Sequence, residues 1–147
     1  MYTNLLVATD DSKHSDKAVI HAIGLAGKLG AKITVFYAAP DYPEPVYSEG
    51  IIYEVMSRKD YAAMVATDAE KILAKVAKKA ATASVPCEAR HALSRAPWEA
   101  ILAAAKKNKC DAIVMGSHGR GGLAALFLGS ETQKVLAHSK LPVIVVR

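Results

Sequence analysis

Asn4-Leu5-Leu6-Val7-Ala8-Thr9-Asp10-Asp11-Ser12 is an apolar run that stops on two aspartates and a serine. It is short and lacks polar alternation, so Asn4 to Thr9 reads as a strand buried on both faces. The period then changes. From Ser15 to Leu29, the apolar residues Val19, Ala22, Ile23, Ala26 and Leu29 form one helical stripe. Ser12 or Ser15 can cap this helix, and Gly30 stands where a left-handed residue is wanted after its last turn. Lys32 to Ala38 (KITVFYA) is a second buried run.

The same alternation continues. Ala39 to Glu54 carries Pro40, Pro43, Pro45 and Gly50 and reads as a long loop or flap. Ser57 to about Ala83 repeats apolar residues at Tyr61, Val65, Ala69, Ile72, Val76 and Ala80, a long amphipathic helix. Pro86 to Leu93 is a third, weaker strand. Pro97 opens a helix at the position that tolerates a missing N–H, and that helix ends on Lys106-Lys107-Asn108. Asp111 to Met115 (DAIVM) is the fourth strand, Ser130 to His138 a helix, and Pro142 to Val146 (PVIVV) the fifth strand. The pattern is that of an α/β protein, one domain over residues 1–147. Its sheet is five-stranded and parallel, with helices on both faces. The expected strand order is 3-2-1-4-5, with the first strand central.

Composition limits the function classes. Apolar residues make 52% of the chain and charged residues 22%, an ordinary globular balance. No apolar run approaches the ~20 residues of a membrane helix, and the first ten residues show no secretory leader. Cys87 and Cys110 form no CxxC pair. They read as idle thiols in a reducing compartment, which makes the cytoplasm the expected location. The net charge of +5 favours anionic partners. Much of it lies in Lys71, Lys75, Lys78 and Lys79, which read as a solvated helix face. A nucleic-acid role would need aromatic stacking stripes or a recognition motif, and neither is present.

In an open parallel sheet, ligands bind beyond the C-terminal strand ends where strand order reverses. With the first strand central, that point lies between Thr9-Asp10-Asp11-Ser12 and the segment Gly116-Ser117-His118-Gly119-Arg120-Gly121-Gly122. Glycines there let the backbone approach a ligand and adopt positive φ. Backbone N–H groups in such turns, and at the helix opened by Ser130, can hold phosphate oxygens. Neither a Walker P-loop nor a GxGxxG fingerprint occurs. Ser130-Glu131-Thr132-Gln133 is also a capping box, and Gly119 and Gly129 also suit plain turns. Local chemistry alone leaves the phosphate cradle and the capped helix both open.

At these residues the chain resembles the universal stress protein family over almost its whole length. Thr9-Asp10-Asp11-Ser12 and the tail GSHGRGGLAALFLGSETQKVLAHSKLPVIVVR carry the likeness. The family's nucleotide-binding branch has G-x2-G-x9-G-[ST], matched here by Gly116, Gly119, Gly129 and Ser130 at both spacings. The resemblance implies an adenine nucleotide alpha hydrolase-like fold binding ATP with Mg²⁺. It also implies residue roles. Ala8, Thr9 and Ala38 line the adenine and ribose pocket, Met115 packs near base or sugar, and Asp10 faces the ribose or the hydrated metal. Gly116, Gly119, Gly129, Ser130 and the N–H of Glu131 hold phosphates. Ala38 and Ala39 stand where the family often has larger aliphatic residues, which implies a looser pocket. Glu131 brings a carboxylate close to the phosphates.

Other side chains in the segment are less telling. Arg120 is placed to cap a phosphate oxygen or to lie in solvent. His118 reads first as an exposed loop histidine. His14, His21, His91 and His138 match no metal motif, so no protein-built metal site is expected. One of Asp10 and Asp11 is expected to cap the first helix while the other faces the site. No arginine finger or water-positioning residue is apparent, so binding with slow hydrolysis at most is expected. The enzymatic alternative is a slow ATPase or a self-phosphorylating protein with Ser117, Ser130 or Thr132 as acceptors. The last strand, Val143 to Val146, is an apolar edge that a homodimer would cover, and the resemblance implies the same dimer.

Overall fold

The computed structural model describes residues 1–53, 56–119 and 127–147. Seven strands and four helices follow in the order β1 (Asn4–Ala8), α1 (Lys13–Leu29), β2 (Lys32–Pro40), β3 (Val46–Ser48), β4 (Ile51–Tyr53), α2 (Arg58–Thr82), β5 (Cys87–Ser94), α3 (Pro97–Lys107), β6 (Ala112–Gly116), α4 (Ser130–His138) and β7 (Val143–Val146). Five of them form one parallel sheet in the order β5-β2-β1-β6-β7. Without the β3–β4 pair, this is the expected order 3-2-1-4-5.

β1 is central and Leu5, Leu6 and Val7 are fully buried. Its side chains alternate between the two faces of the sheet. Leu5 and Val7 join Ile33, Val35, Ala112 and Val114 under α1 and α2. Leu6 joins Phe36, Ile113 and Met115 under α3 and α4. Burial on both faces is why these strands read as unbroken apolar runs.

The helix ends follow local chemistry. Ser12 Oγ accepts from the Ser15 N–H at 3.2 Å, and Gly30 closes α1 with φ +65°. Ser57 caps α2 through the Asp60 N–H. Lys71, Lys75, Lys78 and Lys79 are exposed, and Lys75 and Lys79 pair with Asp11 and Asp16 of the α1 region. Asp111 accepts from the N–H and hydroxyl of Thr3 at 2.7 and 2.8 Å, pinning the start of β6 to the start of β1. Cys87 and Cys110 are free, and burial pushes both thiols up.

One stretch differs from its sequence reading. Residues 39–53 are not a plain loop: β2 runs on to Pro40, and β3 and β4 form an antiparallel hairpin. Its turn uses Glu49 (φ +50°) and Gly50 (φ +78°), the paired left-handed geometry that suits the twist of a two-residue hairpin. The hairpin stands out from the body, with Val46, Tyr47, Ile51, Ile52 and Tyr53 all more than half exposed. Among the described residues, no helix is long and apolar enough to cross a membrane.

Candidate functional site

The sheet reverses its winding between β1 and β6, whose C-terminal ends lie side by side. A cavity of ≈ 500 Å³ opens there, within the range of small-molecule sites. Ala8, Thr9, Asp10, Ala38, Met115, Gly116, Gly119, Gly129, Ser130 and Glu131 all line it. Arg120, expected in the same site, lies outside the described residues.

The floor is apolar. Phe36 and Ala38 share one face of β2, with Met115 from β6 and Ile101 and Pro97 from α3 also lining the cavity. Ala39 points to the opposite face and is fully buried under the helices there. It therefore does not widen the cavity. Phe36 is the bulky group that sequence reasoning missed, although its place two residues before Ala38 puts it on the same face.

The β1 rim is tightly bonded. Thr9 Oγ1 and Ser15 Oγ lie 3.3 Å apart, and Ser15 Oγ also accepts from the Asp10 N–H. Asp10 Oδ1 accepts from the Ser12 N–H at 3.0 Å. Neither aspartate is the helix cap, because Ser12 takes that role. Asp11 adopts φ +63° and turns its carboxylate to Lys75, while Asp10 lines the cavity.

The motif glycines serve close packing. A Cβ on Gly116 would stand 2.7 Å from the His14 carbonyl oxygen. One on Gly119 would stand 2.9 Å from Asp10 Oδ2, and one on Gly129 would stand 3.2 Å from the Cα of His118. Gly129 has φ −59°, and the left-handed glycines of the described chain are Gly30 and Gly50. The expectation of positive φ at Gly116 and Gly119 is therefore corrected: Gly116 and Gly129 allow near contact between backbones, and Gly119 leaves room for the Asp10 carboxylate.

The capping box at Ser130 does not form. Gly129 is the N-cap of α4 and Ser130 is its first helical residue. Among the described residues no side-chain cap forms at this end, and Gln133 Nε2 instead donates to the Leu128 carbonyl. Ser130, Glu131 and Thr132 of the first turn line the cavity, so the positive end of the helix dipole faces it. Thr132 Oγ1 donates to the Gly116 carbonyl at 2.9 Å, locking α4 onto the end of β6. Glu131 turns its carboxylate to α3, where Oε2 accepts from the Trp98 N–H. His118 is not the exposed loop residue expected from sequence. Its Nδ1 lies 2.9 Å from Ser117 Oγ, and its Nε2 is buried.

An open parallel sheet with a glycine-lined cavity at its switch point, opening beside a helix N-terminus, is an α/β architecture with its crevice where such sheets place their ligand sites. A sequence model of the universal stress protein family matches residues 1–147, and the chain belongs to that family. A universal stress protein of Thermus aquaticus, encoded in the 3′ region of a QAH/OAS sulfhydrylase, is 37% identical over 150 residues, covering all of both chains. The structure of universal stress protein UspA from Lactobacillus plantarum superposes with a TM-score of 0.82 at 24% identity, over 99% of this chain and 98% of that one. A universal stress protein solved in complex with cAMP superposes with a TM-score of 0.72 at 26% identity, over 99% and 97% of the two chains.

Proposed function

We propose that this chain is a nucleotide-binding stress-response module that takes ATP with Mg²⁺ in the cavity between β1 and β6. The observation that carries this reading is the uncapped N-terminus of α4, which opens on the cavity beside Gly116, Gly119 and Gly129. The glycine cradle and the first-turn N–H groups suit phosphate oxygens. The apolar floor of Phe36, Ala38, Ile101 and Met115 suits a purine ring. The cAMP complex of a family member supports the same ligand class. Asp10 is the carboxylate on the rim, placed to meet a ribose hydroxyl or a hydrated Mg²⁺. The magnesium ion would neutralise charge on the phosphates. With Glu131 engaged at α3, its carboxylate is held by another partner, and its N–H remains for the ligand.

Slow self-phosphorylation is the second reading, and the structure narrows its acceptors. Ser117 and Thr132 are 3% and 2% exposed, with their hydroxyls bonded to His118 and Gly116. Ser130 is exposed at the cavity and is the accessible acceptor of the three. We further propose a homodimer formed through β7, the edge strand next to β6. The free cysteines suit a reducing compartment such as the cytoplasm.

The test is release and identification of nucleotide from the purified protein, followed by calorimetry with ATP and Mg²⁺. Adenine nucleotide in the extract and saturable binding support the reading, and the absence of both overturns it. Mass spectrometry after incubation with Mg·ATP decides the second reading, by phosphate on Ser130 or its absence.

A further inference from the structure

His14 lies in the first turn of α1 and His118 lies just beyond β6. They are 104 residues apart in sequence, so no motif spacing links them. The fold brings their rings to a centroid separation of 5.2 Å, tilted by 50°. Each ring carries a buried nitrogen with no hydrogen-bond partner, Nδ1 of His14 and Nε2 of His118. A buried polar atom without a partner loses its hydration and gains nothing in return. Two on neighbouring rings call for an explanation, and an ion is one such.

We propose that His14 and His118 form a two-histidine site for a borderline divalent transition metal, with Zn²⁺ or Co²⁺ as the fitting ions. Three observations converge. A metal–nitrogen bond of about 2.05 Å, added to about 1.15 Å from nitrogen to ring centre, puts two tetrahedrally disposed imidazole centres about 5.2 Å apart, so the ring spacing here leaves room for a shared ion. His118 Nδ1 sits against Ser117 Oγ. An Nδ1–H donated to that oxygen leaves Nε2 with its lone pair, the arrangement that outer partners impose on metal-bound histidines. Asp10 supplies nearby negative charge: its Oδ2 lies against Gly119, the residue after His118.

Two histidines leave coordination positions for water or a further ligand. His118 also lines the cavity, so a phosphate oxygen of a bound nucleotide fills one of them. This last clause rests on the nucleotide reading, and the two-histidine site does not. Imidazole selects Zn²⁺, Co²⁺ or Ni²⁺ over Mg²⁺, which keeps to oxygen ligands.

The full-length protein, freed of metal and nucleotide, is titrated with Co²⁺ and read by its visible d–d absorption. Zn²⁺ is then measured by competition. One Co²⁺ per chain is expected, displaced by Zn²⁺ and unaffected by excess Mg²⁺. His14→Gln and His118→Gln each weaken binding at least tenfold, and the double variant abolishes it. Ser117→Ala removes no ligand and weakens binding roughly 10–100-fold. His138→Gln, on an exposed histidine, leaves it unchanged. Thermal melts establish that each variant folds, and Ser117→Ala provides the reading should a histidine variant fail to. Absence of stoichiometric Co²⁺ or Zn²⁺ binding, or undiminished binding in the folded variants, overturns the site. Metal binding that ATP fails to tighten overturns only the phosphate bridge. Failure to bind Mg·ATP with metal binding intact overturns the nucleotide reading alone.

Discussion

Glu131, in the first turn of α4, accepts a hydrogen bond from the backbone N–H of Trp98, in the first turn of α3, at 2.9 Å. The N-cap position of α3 is Ala96, which offers no side-chain acceptor. The carboxylate of one helix thus caps another, and its negative charge meets the positive end of the α3 dipole. Glu131→Ala is expected to lower stability by about 1 kcal/mol and to leave ATP affinity within about threefold, since only the backbone N–H of this residue faces the proposed phosphates. Urea unfolding and calorimetry check the two halves. A large gain in ATP affinity would show that the carboxylate repels the ligand after all.

Gly116 and Gly119 are expected to fail differently when changed to alanine. At Gly116 the new methyl meets the α1 backbone at the His14 carbonyl, which cannot swing aside. Gly116→Ala should cost about 1–3 kcal/mol of stability. At Gly119 the methyl meets only the Asp10 carboxylate. Gly119→Ala should fold with nearly unchanged stability and bind ATP roughly tenfold or more weakly (~1.4 kcal/mol). Equal melting temperatures for the two variants would refute this division.

Asp111 predicts an acid limb of stability. Burial tends to raise its pKa, but hydrogen bonds from the Thr3 N–H, the Thr3 hydroxyl and the Asn4 N–H outweigh it, and the net value is lowered. A lowered carboxylate contributes stability in full above its unfolded value, about 3.9, and loses it as pH falls through the folded value below that. Asp111→Asn should therefore be less stable than the parent at pH 7, with the gap closing below about pH 3.9. A constant gap across that range would argue against the linkage.

Strand β7 predicts a dimer that a single proline can dissolve. The carbonyls of Pro142 and Val146 accept from the N–H groups of Ile113 in β6 and of Ser117 just beyond it. By alternation, Val143 and Val145 turn their backbone N–H and C=O groups to the open edge. Val145→Pro removes an outward N–H without breaking the pairing to β6. Light scattering should give a dimer for the parent and a folded monomer for the variant. A monomeric parent at micromolar concentration would dispose of the proposed interface.

The fold was legible because the three central strands, β2, β1 and β6, are buried on both faces, so runs such as Leu5-Leu6-Val7 and Ala112-Ile113-Val114 announce themselves. The hairpin was not. Its strands have three residues each, lie among prolines, and turn on Glu49-Gly50, where glutamate is a poor sign of left-handed backbone. The glycine spacing located the cavity, because residues in one strand–loop–helix unit keep their geometry. The role of Glu131 and the approach of His14 to His118 were invisible, since both depend on how elements distant in sequence dock. The capping box misled for a local reason: Gly129 took the cap and Ser130 became the first residue of the helix.

The contact between Gly116 and the His14 carbonyl also restricts how this sequence can drift. Any side chain at Gly116 must push α1 from the sheet. A lineage that abandoned the ligand could discard Gly119 at little structural expense, whereas Gly116 would outlast the activity it accompanied. Its presence in a descendant would testify to the seating of a helix, and Gly119 would be the better witness to binding.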